Sequence, residues 1–128
     1  MHAQLSNPYQ MSSVATAGPA QLTLMLYDRA LVGLARAQQA DGPQRVEVVN
    51  SELTRVQDIV TELLVTLDRE RGGDIARNLA ALYDYCLDRL IRANVRKDLG
   101  LLDEVRAVLT PLRDAWEQAC CSAPVPAG

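Results

Sequence analysis

Apolar residues recur along four long segments of the chain at the three- and four-residue spacing of an amphipathic α-helix. Gly18 and Pro19 mark the start of the first segment, because a helix tolerates proline in its first turn. This segment runs to about residue 40, and the Asp-Gly-Pro sequence at 41–43 separates it from a second helix at about 44–67. Alternation of the kind that predicts β-strands is rare, so the chain is predicted to be all-α.

Turn-forming residues delimit the other two helices. The sequence "RGGD" at 71–74 has two glycines that can adopt positive φ and an aspartate, Asp74, that can cap a helix at about 75–96. Asp98 is the candidate cap of a fourth helix at about 99–120. Long helices joined by short connections pack antiparallel. We therefore predict an antiparallel up-and-down four-helix bundle over residues 18–121, with an extended or loosely helical N-terminal leader at 1–17 and a disordered tail at 122–128.

The apolar faces of the four helices differ in width. The face spans about 100° on the second helix and about 140° on the fourth, but about 220° on the first and about 180° on the third. Met25 and Val32 add a further apolar pair to the polar side of the first helix. Either the first and third helices are the more enclosed pair, or their extra surface forms a groove for amphipathic helices of another chain.

Residues on these two broad faces are the candidate partner-binding residues. Tyr27 and Tyr83 would suit the rim of a groove, although a half-buried core tyrosine produces the same pattern. The arcs overlap, so core and groove positions are not separated. The candidates on the two helices are Leu24, Tyr27, Leu31, Leu79, Tyr83, Leu87, Leu90 and Ile91.

Composition narrows the class of protein. The 128 residues are 48% hydrophobic with a net charge of −3, which fits one domain with a substantial core. The sequence has no long uncharged apolar run and no signal-peptide pattern, so we expect a cytoplasmic protein without membrane insertion. Basic residues do not cluster, which argues against nucleic acid as a partner. Three cysteines without metal-ligand spacing fit a reducing compartment.

The sequence lacks the residues that helical bundles commonly use for catalysis or for binding a cofactor. The only histidine is His2, whereas phosphotransfer, di-iron and haem bundles need a histidine on a helix. The glycine pair lies between two helices rather than after a strand, so it is a turn and not a phosphate loop. A cysteine nucleophile would lack a histidine base. We expect neither enzymatic activity nor a cofactor.

Four sequence segments carry a family resemblance: "NPYQ" at 7–10, "TAGPAQLTLMLYDRAL" at 16–31, "LDRERGGDIARNLAALYDYCLDRLIRAN" at 67–94 and "VLTPLRDAW" at 108–116. In this order and spacing they resemble the flagellin export chaperones of bacterial flagellar assembly, FliS, over roughly residues 5–117. The resemblance implies a four-helix bundle that binds the carboxyl-terminal region of newly made flagellin one to one. It also implies that the chaperone prevents premature polymerisation and assists delivery to the flagellar type III export apparatus.

The resemblance further implies that the leader, with its tyrosine, can lie over part of the binding surface. We hypothesise that Tyr9 and Met11 cap the groove in the free protein. Two alternatives remain open. One is a scaffold or regulatory bundle that homodimerises, or binds another flagellar factor, through the same faces. The other is a secretion chaperone for a different disordered substrate.

Overall fold

The computed structural model describes residues 18–120, which form four α-helices. These are α1 (Pro19–Gln39), α2 (Arg45–Val65), α3 (Arg69–Arg96) and α4 (Leu101–Cys120), with a 3-10 turn at Gly42–Gln44 before α2. No β-strand occurs over residues 18–120, so the all-α prediction is confirmed. The predicted leader and tail, including Tyr9 and Met11, lie outside the described residues.

The helices pack as a square. Helices α1 and α3 each contact both α2 and α4, so helices adjacent in sequence are neighbours and α4 closes the ring against α1. Side chains from the two ends of α4 show that it is antiparallel to α1. Near the end of α4, Trp116 donates a hydrogen bond to Ala20 at the start of α1. Near the start of α4, Asp103 accepts a hydrogen bond from Gln38 at the end of α1. The predicted four-helix bundle is confirmed.

Leucine and valine dominate the core between the helices. The 3.6-residue period turns one apolar stripe of each helix towards the axis of the bundle, and burying each large side chain contributes about 1.5–3 kcal/mol. The largest fully buried aliphatic side chains are Leu34, Leu53, Leu90, Leu102, Leu109, Val49, Val56, Val60 and Val105.

Gly33 permits a close approach of α1 and α2. A Cβ atom at this position would lie 2.6 Å from Cγ2 of Val56, closer than two carbon atoms can pack. Glycine inside a helix costs about 0.5–1 kcal/mol relative to alanine. The close contact between the two helices offsets that cost.

Helix α3 consists of a short first turn and a long second part, separated by a kink. The first turn starts at Arg69, where the Asp68 side chain accepts a hydrogen bond of 3.0 Å from the backbone N–H of Arg71. Gly73, with φ 51° and ψ −125°, is non-helical and interrupts the helix. The long part follows this kink, as the glycine pair predicted, and the short capped turn before it was not predicted. The Asp74 side chain pairs with Arg77.

Candidate partner-binding surface

The two tyrosines predicted at a groove rim meet inside the bundle. Tyr27 of α1 is 0% exposed and Tyr83 of α3 is 2% exposed, and their hydroxyl groups are hydrogen-bonded to each other. The rim position is therefore wrong for both. The two hydroxyl groups satisfy each other's hydrogen bonding, so both can be buried away from water.

Burial also controls the ionisation of this part of the core. It raises the pKa of the Tyr27 phenol far above its usual value of 10.0, and the hydrogen bond with Tyr83 raises it further. Burial raises the pKa of Tyr83 as well. On the next turn of α3, burial raises the pKa of the Cys86 thiol to about 12. All three groups are neutral at pH 7, so Cys86 lacks the thiolate that a nucleophile needs.

The other candidate residues divide by depth. Leu90 belongs to the buried core, and Leu31, Leu79 and Leu87 are partly buried against it. Leu24 is also partly buried. Ile91 is 50% exposed and is the one described candidate on open surface. The wide arcs of α1 and α3 are thus divided between the core and exposed surface.

An apolar cavity of about 610 Å³ lies at one end of the bundle, where α1 and α3 begin and α2 and α4 end. We call it the end cavity. Two of the candidates, Leu79 and Tyr83, line it together, and Glu62 and Asp68 are its two charged residues. Its other lining residues are Pro19, Ala20, Leu22, Thr23, Leu26, Leu63, Thr66, Leu67 and Trp116.

Trp116 anchors the first turn of α1 beside the end cavity. Its indole Nε1–H donates a hydrogen bond of 2.9 Å to the carbonyl oxygen of Ala20. Its ring lies 6.4 Å from the ring of Tyr27, centroid to centroid, at an interplanar angle of 48°. Nearby, Nε of Arg113 donates a hydrogen bond of 2.6 Å to the carboxylate of Asp28. These contacts between α1 and α4 hold one wall of the cavity in place.

A second depression, of about 490 Å³, runs between α1 and α2. We call it the α1–α2 groove. Leu26 and Ile59 provide its apolar lining, and Leu26 and Glu62 also line the end cavity, so the two depressions adjoin. The other residues that line the groove are polar or charged: Arg29, Ser51, Thr54, Arg55 and Asp58.

Comparison with known proteins identifies the family. The family model described as "Flagellar protein FliS" matches residues 1–123. The chain belongs to the FliS family. It is 42% identical over 118 residues to the flagellar secretion chaperone FliS of Bacillus subtilis (strain 168), an alignment that covers 90% of this chain and 87% of the relative.

Two further FliS relatives agree with this assignment. The flagellar secretion chaperone FliS of Salmonella typhimurium (strain LT2) is 39% identical over 108 residues, covering 84% of this chain and 80% of the relative. The protein of the same name from Escherichia coli (strain K12) is 36% identical over 114 residues, covering 87% and 82%. The resemblance in the four sequence segments is therefore confirmed as family membership.

In this FliS-family bundle, the most accessible apolar residues of α1 are ones that the candidate set omits. Leu22 is 40% exposed, Met25 and Val32 are each 43% exposed, and Leu22 also lines the end cavity. The Met25–Val32 pair on the polar side of α1 was the sequence signal for this surface. Leu22 and Leu26 gave no separate signal, because they fall within the arc that also supplies the core.

Neither a metal site nor a membrane span is found in the part of the chain that the structure describes. Residues 18–120 contain no cluster of three or more histidine, cysteine, aspartate or glutamate side chains arranged to hold a metal ion. None of the helices in this range combines the length and hydropathy needed to cross a bilayer.

Proposed function

We propose that this protein is a cytoplasmic export chaperone that binds the disordered carboxyl-terminal region of flagellin. In this role it prevents premature polymerisation and assists delivery to the flagellar type III export apparatus. Family membership carries the proposal, since relatives up to 42% identical over most of their length are named flagellar secretion chaperones. Such a role is one of binding and requires no catalytic group.

The apolar surfaces support a client that folds when it binds. A disordered segment loses about 2–5 kcal/mol or more of its interaction energy to ordering, so it needs an extended apolar surface. The end cavity and the adjoining α1–α2 groove provide such a surface, and exposed Leu22 and Met25 extend it along α1. An amphipathic client helix can place its apolar face there.

The candidate residues take different parts in this proposal. Leu79 contacts the client directly, because it lines the end cavity and is only partly buried. Tyr83 also lines the cavity, but it is 2% exposed and supports the wall rather than contacting the client. Ile91 offers a separate exposed contact on α3. The remaining candidates act by holding the helices that frame the cavity: Leu24, Tyr27, Leu31, Leu87 and Leu90.

The leader competes with the client in the proposed mechanism. It joins α1 at Pro19, which itself lines the end cavity. The eight residues from Met11 to Pro19 span at most about 26–29 Å when extended, enough for Tyr9 and Met11 to reach the cavity in the free protein. A competing leader lowers the apparent affinity for the client, so deletion of residues 1–17 should tighten binding. Unchanged affinity by calorimetry would exclude this role.

Isothermal titration calorimetry tests the function directly. We expect a peptide of about 40–50 residues from the carboxyl terminus of the cognate flagellin to bind one to one with a large negative heat-capacity change. Leu22→Glu should weaken binding because it places a charge in the end cavity. Val95→Glu is the matched control, since Val95 is 78% exposed and does not line either depression.

Sedimentation of the free protein separates the chaperone from the alternative. A scaffold that homodimerises through the same apolar faces would form a stable dimer without client and release no heat with the flagellin peptide. Absence of binding at tens of micromolar peptide would contradict the chaperone proposal. The exposed apolar residues would then be assigned to self-association.

A further inference from the structure

We propose that Glu62 is a specificity-determining residue, which pairs with a lysine or arginine of the helix that occupies the α1–α2 groove. This inference rests on the proposed function and adds the chemistry of the client segment. The client helix would carry an apolar stripe over Leu26 and Ile59 and a basic side chain next to it. The pairing with Glu62 would set the position of the client helix along the groove.

Glu62 stands at the junction of the two depressions. Among the described residues, only Leu26 and Glu62 line both the groove and the end cavity, so a helix that extends from one into the other passes them. Leu26 supplies an apolar contact from α1, and Glu62 supplies a charge from α2. A client that fills both depressions therefore meets an apolar and an acidic side chain at the same point.

The Glu62 side chain is exposed and has no ion-pair partner within the described bundle. Over residues 18–120, neither its carboxylate nor that of Asp58 forms an ion pair or side-chain hydrogen bond. The backbone oxygen of Glu62 accepts hydrogen bonds from the hydroxyl group of Thr66 at 2.9 Å and from its backbone N–H at 3.0 Å. The two carboxylates are four residues apart on α2, where like charges destabilise a helix. A cation from the client would relieve this repulsion.

The two arginines that line the groove are not paired with Glu62. Arg29 is bonded to Glu52, with 3.1 Å between its Nη2 and the carboxylate Oε1. Arg55 lies three residues before Asp58, on the neighbouring turn, but seven residues before Glu62, about two helical turns away. Among residues 18–120, no basic residue lines the end cavity, and its other acidic residue, Asp68, is paired with Arg71. A client cation that reaches the junction of the two depressions therefore meets Glu62.

The leader of this chain has no lysine or arginine to pair with Glu62. Residues 1–17 read "MHAQLSNPYQMSSVATA" and contain neither lysine nor arginine. A leader lying over the apolar walls would leave Glu62 unpaired. The pairing therefore distinguishes the client from the leader, and a basic client helix would gain an interaction that the leader does not make.

Charge reversal tests the pairing. With the flagellin peptide as ligand, we expect Glu62→Gln to weaken binding about two- to fivefold, because it removes the attraction to the client cation. Glu62→Lys should weaken binding about tenfold, because it also adds repulsion between two positive charges. Asp84→Lys is the control: Asp84 is exposed on α3, has no side-chain partner among the described residues and lines neither depression. It should bind within twofold of the wild type.

A complementary change in the peptide identifies the partner residue. In a set of peptides that each carry one lysine or arginine changed to glutamate, one should bind Glu62→Lys more tightly than it binds the wild type. Equal binding of the original peptide by wild type and Glu62→Lys would overturn the inference while leaving the chaperone function intact. If the wild type binds no peptide, the proposed function itself fails.

The mass of the protein in solution tests whether a second copy of the chain, rather than the client, occupies the α1–α2 groove. We expect Glu62→Lys and the wild type to have the same mass in the absence of peptide. A wild-type dimer that Glu62→Lys dissociates, with affinity for the flagellin peptide unchanged, would overturn the inference and assign Glu62 to self-association.

Discussion

The hydrogen bond between Tyr27 and Tyr83 joins diagonal helices through the core. Removing one hydroxyl group leaves the other buried without a partner, whereas removing both leaves no polar group to satisfy. Tyr27→Phe and Tyr83→Phe should each lower the free energy of unfolding by about 1–3 kcal/mol, and the double variant by less than their sum. Urea denaturation measures the three values. Tyr85→Phe, on the exposed side of α3, is the control, and additive losses would contradict the coupling.

The same residues make the bundle sensitive to alkali. The pKa values of Tyr27, Tyr83 and the Cys86 thiol are raised by burial, so the folded state retains protons that the unfolded chain loses. The contribution of these neutral groups to the free energy of unfolding is complete below the unfolded pKa values, which are 9.0 for the thiol and 10.0 for the phenols. This contribution declines as the pH rises above those values.

We therefore expect the free energy of unfolding to fall above about pH 9. Urea denaturation at a series of pH values, in reducing buffer, measures this change. Other tyrosines, other cysteines and Lys97 also titrate in this range, so a comparison with a variant that lacks the two buried phenols is needed. The Tyr27→Phe, Tyr83→Phe double variant should show a shallower fall. Equal slopes for the two proteins would mean that the buried phenols do not cause the effect.

At the scale of the helix, packing against a neighbouring helix can outweigh the helix propensity of a single residue. Alanine at Gly33 should favour α1 by about 1 kcal/mol, but its Cβ would lie 2.6 Å from Val56 Cγ2. Overpacking costs about 1–3 kcal/mol, so we expect Gly33→Ala to lower the free energy of unfolding by about 1–2 kcal/mol. Set against the gain in helix propensity, the net loss for Gly33→Ala is at most about 2 kcal/mol. Adding Val56→Ala should remove the clash, so the double variant should lose less than the two single losses combined.

The start of α3 shows what a local signal can and cannot determine. Two aspartates, at 68 and 74, flank the turn-forming glycines, and either could cap a helix. Asp68 caps a short first turn, and Gly73 adopts the positive φ expected from the sequence and interrupts the helix there. The glycine signal was therefore correct about the break before the long part of α3, whereas the extra turn before it was not predicted.

At the scale of the whole molecule, the end cavity brings together the ends of all four helices. Trp116, the only tryptophan of the chain, lines it. A client helix placed there would exclude water from the indole ring, so Trp116 emission should shift to shorter wavelength on titration with the flagellin peptide. Leu22→Glu should reduce the shift at equal peptide concentration. Calorimetric binding without any spectral change would place the client elsewhere on the bundle.

The number of helices, their order and their antiparallel packing could be predicted because they follow from local information. Hydrophobic periodicity marks each helix, turn residues separate them, and short connections leave few packing arrangements. Because His2 is the only histidine of the sequence, the histidine-dependent chemistry of phosphotransfer, di-iron and haem bundles was not expected. Family membership agreed with these features because its sequence segments fall mainly on the helices and on the kink near the start of α3.

The binding surface depended on long-range packing. A broad apolar arc on a single helix does not reveal which part a neighbouring helix will cover. The Tyr27–Tyr83 pair, separated by 56 positions, entered the core because the fold brought their hydroxyl groups together. Leu26 and Glu62 became neighbours of both depressions only after α1 and α2 had packed. Periodicity along the chain is a local property and sufficed for the bundle, whereas a cavity is formed by residues distant in sequence and required the tertiary structure.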